Sequence, residues 1–310
     1  MSTAPRRWQE ILFNRKMVTC IFLGFTSGLP LYVLIQLVPA WLRSHEVDLA
    51  TIGLFALVSL PYTWKFLWSP LMDRYKLPFL GRRRGWALVT QLGLLVSLGA
   101  LGQFDPSASL QAIVVTVFIV SLFGASQDIV VDAYRRELLA DDELGTGTSL
   151  FINAYRLSSL VPGSLALILS DVLPWPVVYW VTAAFMGVGI ITTIIIKEVS
   201  DDALAPATLT EAVVDPFKEF FSRGGIKAGL AILGFMFLYK LGDNMATALA
   251  TPFYLDMGFS RTEIGSIAKI AALWASIAGG ILGGIVMLKL SINRALWVFG
   301  FVQMVTILGY

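Results

Sequence analysis

Charged side chains are scarce in this sequence. Of its 310 residues, 14% are charged and 56% are hydrophobic, and the mean hydropathy is +0.75. Soluble domains contain roughly 25% charged residues. The deficit is too large for a water-soluble protein with a large core, and it predicts a helical membrane protein with several spans. The apolar segments are long and continuous, which argues against a transmembrane barrel with alternating strands.

Cysteine and histidine are also nearly absent. The single Cys20 lies in an apolar run, which excludes a disulfide framework and a thiolate metal site. We interpret the single His45 as a solvated loop residue, because a metal site needs several ligands. The sequence contains no phosphate-binding loop, Ser-His-Asp set or metal cluster. It therefore predicts a protein that is not an enzyme and that uses no cofactor or metal.

Long hydrophobic runs predict nine membrane-spanning helices, since a span needs about 20 apolar residues. The predicted spans are 17–41, 50–71, 85–104, 109–135, 145–170, 174–196, 227–253, 262–288 and 294–310. The uncharged stretch in the first span is too long for the apolar core of a signal peptide, so we expect a retained span. The ninth span stops at Tyr310 in mid-span, so we expect the chain to be a fragment of a longer protein.

The distribution of positive charge predicts the orientation of the spans. When the spans alternate across the membrane, the connections on one side contain only Arg43 and Arg261 as basic residues, and the other side holds the remaining basic clusters. The positive-inside rule then predicts a cytoplasmic N-terminus. Because the basic groups are short and lie between apolar spans, nucleic-acid binding is disfavoured.

The longest polar connection, residues 197–226, predicts the division of the chain. It separates a complete six-helix bundle at 1–196 from about three helices of a second bundle at 227–310. A short surface helix and a plain solvated linker are both open interpretations of this connection. A weak repeat supports two related bundles, since span two begins with Thr51-Ile52-Gly53 and span eight with Glu263-Ile264-Gly265.

The connection after span two contains a small residue, Ser69, then an Asp-Arg pair and a basic cluster. This order resembles the signature between helices two and three of the major facilitator superfamily, in which the small residue is usually glycine. We interpret six charged residues as gating contacts between bundles, with simple positive-inside anchoring as the alternative for the arginines. These residues are Asp73, Arg74, Arg82, Arg83, Arg135 and Arg136.

Asp128 and Asp132 are the predicted proton-coupling residues. They lie four residues apart and share one helix face near Arg135 and Arg136. Ionisable residues inside a span cost about 2.5–3.5 kcal/mol each on insertion scales, so they are functional candidates. One carboxylate is expected to pair with Arg135, Arg136 or Arg156 while the other exchanges a proton. The alternative is a static charge ladder that fixes span four to span five.

Further polar residues inside the spans are candidates for a substrate cavity. They are Lys65, Tyr155, Arg156, Lys240 and Asp243. Lys240 is suited to an anionic substrate group, and pairing with Asp243 three residues later is the competing explanation. For Lys65 the alternative is an interfacial contact with the neighbouring aromatic residues.

Six stretches of sequence together resemble one family. They are GFTSGLP (24–30), KFLWSPLMDRY (65–75), GRRRGW (81–86), ASQDIVVDAYRRELL (125–139), YRL (155–157) and YKLGDN (239–244). On these residues the chain resembles the AmpG muropeptide permease family of the major facilitator superfamily. The resemblance implies an all-α polytopic membrane protein with the facilitator fold, in a family whose members usually carry twelve or more spans.

The resemblance also implies a function. Such permeases import N-acetylglucosaminyl-1,6-anhydro-N-acetylmuramyl peptides across the bacterial inner membrane, driven by the proton-motive force. The process recycles peptidoglycan and feeds β-lactamase induction. The implied partners are a glycopeptide substrate, protons and the lipid bilayer, and we expect a monomer. The alternatives are a facilitator for another substrate, such as acetyl-CoA or a drug, and a non-transporting membrane sensor or scaffold.

Overall fold

Six helices in the first part of the chain are long and apolar enough to cross a membrane. The computed structural model describes residues 14–140, 143–199, 209–268, 270–275, 278–279 and 292–307. The six helices are α1 (Arg15–Ser44), α2 (Leu49–Leu67), α3 (Arg82–Leu101), α4 (Leu110–Leu138), α5 (Gly147–Ser170) and α6 (Trp175–Ile195). They confirm the first six predicted spans.

Within the described part of the chain, three further helical segments follow the first six. Helix α7 (Leu209–Asp256) includes the second part of the predicted connection and all of span seven. It is interrupted at Gly225, whose φ of 78° is a left-handed value that glycine adopts without steric cost. Helix α8 begins with Arg261–Glu263 and the π-helical turn Ile264–Ala268, and α9 covers Ile292–Ile307. Much of predicted span eight lies outside the described residues.

Prolines shape the first two helices. Helix α1 contains a π-helical turn at Val33–Leu37, between Pro30 and Pro39. Proline lacks a backbone N–H and displaces the carbonyl one turn earlier, so a wider turn accommodates it. Helix α2 ends at Leu67 rather than at the predicted residue 71. A separate short helix, Ser69–Arg74, follows with Pro70 in its first turn, where the missing N–H costs nothing.

The first six helices enclose an apolar core. Its fully buried side chains include Leu29, Leu94, Leu98, Ile113, Tyr179 and Met186. The outward faces are also apolar, and Val115, Ile191 and Ile195 are exposed. An apolar exterior suits a surface that faces lipid rather than water. The six helices therefore pack through their inward residues and present an apolar outer surface that suits a bilayer.

Helices α1 and α5 meet with their backbones in direct contact. A Cβ atom added at Gly24 would overlap the carbonyl oxygen of Phe151, and one added at Gly28 would lie 2.5 Å from the carbonyl oxygen of Tyr155. Small residues four apart let two helices in a membrane approach this closely. The sequence Gly24-Phe-Thr-Ser-Gly28 therefore fixes α1 against α5.

Alanine at Gly28 is expected to destabilise the protein by roughly 1–3 kcal/mol, because the new methyl group has to displace the backbone of α5. The control is alanine at Gly187 on α6, where an added Cβ meets no atom within 4 Å. Thermal unfolding in detergent should show a clearly lower midpoint for Gly28→Ala and an unchanged one for Gly187→Ala. Equal midpoints in the two variants would contradict the close packing of α1 on α5.

Candidate functional site

Asp128 is a buried carboxylate at the centre of the first six helices. It lies on α4, and its Oδ1 accepts a hydrogen bond from the Ser27 hydroxyl on α1. Its Oδ2 is 3.5 Å from Nζ of Lys65, at the end of α2. Ten residues separate Asp128 from the end of α4, which places the carboxylate about 15 Å inside the bundle. Three different helices therefore converge on one acidic group.

Asp132, one turn further along α4, has a different environment. Its side chain is 47% exposed, against 12% for the side chain of Asp128. It pairs with Arg135 on its own helix at 3.0 Å, and the Arg135 guanidinium stacks 4.2 Å from the centre of the Phe151 ring on α5. Asp132 thus has the predicted arginine partner, whereas the partner of Asp128 is Lys65 rather than Arg135, Arg136 or Arg156.

Several buried polar groups close to Asp128 in sequence or in space have no hydrogen-bond partner among the described residues. Both amide atoms of Gln127 and the Tyr62 hydroxyl are in this state. Further along α1, nine residues after Ser27, Oε1 of Gln36 also has no hydrogen-bond partner among the described residues. The Tyr62 hydroxyl lies against Gly124, one turn before Asp128, since an added Cβ there would overlap it. Buried polar groups are normally satisfied, so this region is suited to water or to a polar ligand.

Tyr155 and Arg156 lie on α5 next to this region. The Tyr155 ring meets the Tyr32 ring of α1 edge-on, with centroids 5.8 Å apart. Arg156 is half-buried and forms no ion pair within the part of the chain that the structure describes. An arginine in such a position can receive an anionic group from a ligand. The side chains of Lys240 and Asp243, the other two substrate candidates, lie outside the described residues.

An ion-pair cluster connects α3 to α4 at the end of the bundle that carries most of the arginines, here named the basic end. Arg83 pairs with Asp73 and, at 2.6 Å, with Glu137 of α4. Arg82 is 3.5 Å from Glu137 and donates to the backbone carbonyl of Asp73. Of the predicted gating residues, Asp73, Arg82 and Arg83 are brought together. Arg74 and Arg136 are exposed, and Arg135 belongs to Asp132 instead.

Helices α3 and α6 cap one another at the basic end. The Glu198 carboxylate, just after α6, accepts hydrogen bonds from the backbone N–H groups of Arg83 and Arg84 at 2.7 and 3.0 Å. In return, the Arg84 guanidinium donates to the last carbonyls of α6, those of Thr193 and Ile194. A carboxylate at a helix N-terminus and a cation at a C-terminus both complement the helix dipole. The predicted contact of Asp73 with the second bundle is not among these contacts.

At the opposite end, two polar contacts join the first six helices to α7 and α8. The Arg43 guanidinium, at the end of α1, is 2.5 Å from Asp256 at the end of α7. The Asp171 carboxylate, just after α5, is 2.7 Å from Nε of Arg261 and accepts two hydrogen bonds from Thr262. This end of the bundle is therefore closed by contacts between the two parts of the chain.

The ionisation of Asp171 suits this contact. Burial disfavours its charged form, but hydrogen bonds from Thr262 and Arg261 outweigh the burial, so the pKa of Asp171 lies below its ordinary value. Arg261 also stacks on Trp175, 5.6 Å from the ring centre, and Trp175 in turn meets Trp41 and His45. His45 is thus half-buried against aromatic rings rather than fully solvated.

Sequence reasoning did not identify Glu137, Glu198, Asp171 or Asp256. One signal was present for the opposite end, since Ser260 and Glu263 have the spacing of a capping box, and both of its hydrogen bonds are formed. That motif marks the start of α8 and places Arg261 and Thr262 in its first turn. For metal binding, the described residues contain no group of three or more suitable His, Cys, Asp or Glu side chains.

Comparison with known proteins shows a family match over nearly the whole chain. The sequence profile of the Major Facilitator Superfamily matches residues 6–310. The anhydromuropeptide permease of Escherichia coli K12 is 44% identical over 306 residues, which cover 98% of this chain and 62% of that protein. An uncharacterized protein of Haemophilus influenzae is 48% identical over 301 residues, or 96% of this chain and 71% of its own length. Putative transporter AmpG 4 of Rickettsia conorii is 31% identical over 310 residues, which cover 97% of this chain and 74% of that protein.

Proposed function

Since this chain belongs to the Major Facilitator Superfamily, we propose that it works as a secondary transporter that imports anhydromuropeptides. The observation that carries this proposal is the 44% identity, over 98% of the chain, to a permease named for that substrate. The chain spans less than two thirds of that permease. In the proposal, residues 1–196 form the first bundle, 197–226 the connection, and 227–310 part of the second bundle.

The proposed membrane is the bacterial inner membrane, with the basic end in the cytoplasm. Positively charged residues favour the cytoplasmic side of a span, and the basic end carries the arginine clusters of α3 and α4. The opposite end then faces the periplasm. The contacts of Arg43 with Asp256 and of Asp171 with Arg261 correspond to a closed periplasmic gate. Alternating access requires that these contacts break when the basic end closes.

Asp128 is the proposed proton-binding group. A buried carboxylate is costly unless it is paired, and its pairing with Lys65 satisfies that requirement. Binding of a proton to Asp128 removes the attraction and releases the Lys65 ammonium. The released ammonium and Arg156, which has no ion pair among the described residues, can then receive carboxylates of a peptide substrate. Proton binding and substrate binding would be coupled because the Asp128 carboxylate and a substrate carboxylate compete for the same Lys65 ammonium.

Uptake into right-side-out membrane vesicles tests the function. Labelled anhydro-disaccharide peptide is expected to accumulate when the outside is acidic and to stop accumulating when a protonophore collapses the gradient. Vesicles without the protein are the control for leakage. Accumulation that is unaffected by the protonophore would contradict proton coupling, and competition by unlabelled acetyl-CoA would contradict the assigned substrate.

A further inference from the structure

A groove opens on the outer surface of the bundle at its basic end, between α1 and α6. Its volume is about 900 Å³, and the last turn of α4 contributes Tyr134 and Leu138 to its floor. The groove lies on the outside of the bundle, away from the Ser27, Lys65 and Asp128 site. Nothing in the proposed transport cycle uses it.

The walls of the groove are two apolar stripes. Val18 and Phe22 lie one turn apart on α1, and Ile191 and Ile195 lie one turn apart on α6. All four side chains are exposed, and Ile195 reaches 74%. Side chains four residues apart share a helix face, so the two stripes run side by side along neighbouring helices. The groove therefore offers a hydrocarbon-lined channel parallel to the helix axes.

Cations surround the mouth of the groove at the basic end. Arg15 begins α1, and Lys197 follows α6 by two residues, and both are exposed without an acidic partner among the described residues. Lys16 is held 2.7 Å from Glu143. The charge of the fourth ionisable group, Glu198, is offset by the backbone N–H groups that it caps. The mouth thus carries a surplus of positive charge.

We propose that this groove, here named the α1–α6 groove, binds one anionic phospholipid from the leaflet at the basic end. The phosphate contacts Arg15 and Lys197, and an acyl chain lies along the two apolar stripes. A soluble anion would satisfy the cations but leave the exposed Val18, Phe22, Ile191 and Ile195 unused. A phospholipid matches both the cations and the apolar stripes. Basic pockets between membrane helices on the cytoplasmic side, where we propose that the basic end lies, recognise anionic headgroups.

Glu198 connects the groove to the ion-pair cluster at the basic end. Glu198 lines the groove and also caps the first turn of α3, which carries Arg82 and Arg83. A headgroup that packs beside Glu198 would hold that turn in place, and with it the contacts of Arg83 to Asp73 and Glu137. Bound lipid is therefore expected to raise the thermal unfolding midpoint.

Lipid binding by the purified full chain tests the proposal. The protein in nonionic detergent is titrated with phosphatidylglycerol or phosphatidylcholine, and bound lipid is counted by native mass spectrometry. We expect one phosphatidylglycerol to bind about tenfold more tightly than phosphatidylcholine, because its headgroup has a net negative charge for the two cations, whereas the choline ammonium offsets the phosphate charge of phosphatidylcholine. Arg15→Gln/Lys197→Gln should abolish this preference. Lys227→Gln/Arg294→Gln removes two exposed charges outside the groove and should retain it.

Two further arms distinguish the occupant. Ile191→Ser/Ile195→Ser should weaken phosphatidylglycerol binding while leaving the cations intact. Competition by inorganic phosphate at equal concentration would show a soluble anion and overturn the proposal. Residues 1–13 lie outside the described ranges, and tighter lipid binding after deletion of residues 2–12 would show that the chain itself fills the groove, which also overturns it. An unchanged preference for phosphatidylglycerol in Arg15→Gln/Lys197→Gln would also overturn the proposal.

Discussion

Asparagine at position 128 is expected to abolish gradient-driven accumulation of substrate, with a fall of about a hundredfold in uptake rate, because the protonatable group inside the membrane is lost. The amide retains the shape of the carboxyl group and an oxygen for the Ser27 hydroxyl, so the fold should persist. Exchange of labelled for unlabelled substrate across the membrane does not need net proton movement. Asp128→Asn is therefore expected to retain exchange while it loses accumulation.

The matched control is Asp132→Asn. Asp132 is on the same helix face but is 47% exposed and paired with Arg135 of its own helix, so its loss should reduce uptake only severalfold. Accumulation and exchange are measured in the same vesicle preparation, with protein amount determined by immunoblot. Normal accumulation in Asp128→Asn would show that the ion pair of Asp128 with Lys65 only holds helices in register and that Asp128 is not the proton-binding group. Equal loss in both variants would instead support joint proton handling by the two carboxylates.

Reversal of the charges at the opposite end is expected to open that end of the protein. In Arg43→Asp/Arg261→Asp both contacts become repulsive, since Asp256 and Asp171 then face carboxylates. Each of these partly exposed contacts is worth about 1 kcal/mol, so together they should shift the open-to-closed ratio roughly thirtyfold. The measurement is the rate at which a membrane-impermeant maleimide labels Gln36→Cys in a Cys20→Ser background.

Two controls accompany this experiment. Arg43→Asp/Asp256→Arg restores one contact with exchanged charges and should return labelling toward the parental rate. Asp48→Asn removes a charge at the same end, where the carboxylate accepts local hydrogen bonds such as that from the backbone N–H of Thr51, and should leave labelling unchanged. If Arg43→Asp/Arg261→Asp is labelled at the parental rate, these contacts do not close the protein.

The pH dependence of this end follows from Asp171. Its pKa is lowered in the closed state, so its contribution is present above the ordinary aspartate pKa of about 4 and is lost only below it. Acidification of the solution at this end from about pH 7 to pH 5 leaves the carboxylate charged and the contact intact. Maleimide labelling, divided at each pH by the rate measured for a free thiol because the thiolate is the reacting form, should therefore not change over this range.

The helical architecture was largely predictable because it depends on long apolar runs. The first six spans are confirmed, and the relatives confirm the resemblance to AmpG permeases drawn from stretches such as that around Asp128. Irregular turns and exact ends of the helices were harder to predict from the sequence. A hydrophobic pattern does not reveal the π-helical turn at Val33–Leu37, or the end of α2 at Leu67, because both reflect local proline geometry.

The partners of the charged residues could not be predicted. Asp128 and Lys65 are separated by 63 residues in sequence, and their contact depends on how α2 crosses α4. The nearer arginines were the obvious choice from spacing, but Arg135 is taken by Asp132. Glu137 and Glu198 read as ordinary polar residues at helix ends. Their roles appear only once α3, α4 and α6 are assembled around Arg83.

The contact of α1 with α5 at Gly24 and Gly28 has a mechanical consequence. Arg43 and Asp171 stand at the same end of these two helices, and backbone contact allows little sliding between them. The two helices are expected to move as one rigid unit, whose end carries both polar contacts to α7 and α8. The two contacts are thus expected to break in a single concerted step. Weakening either one then changes the same equilibrium and populates no half-open state.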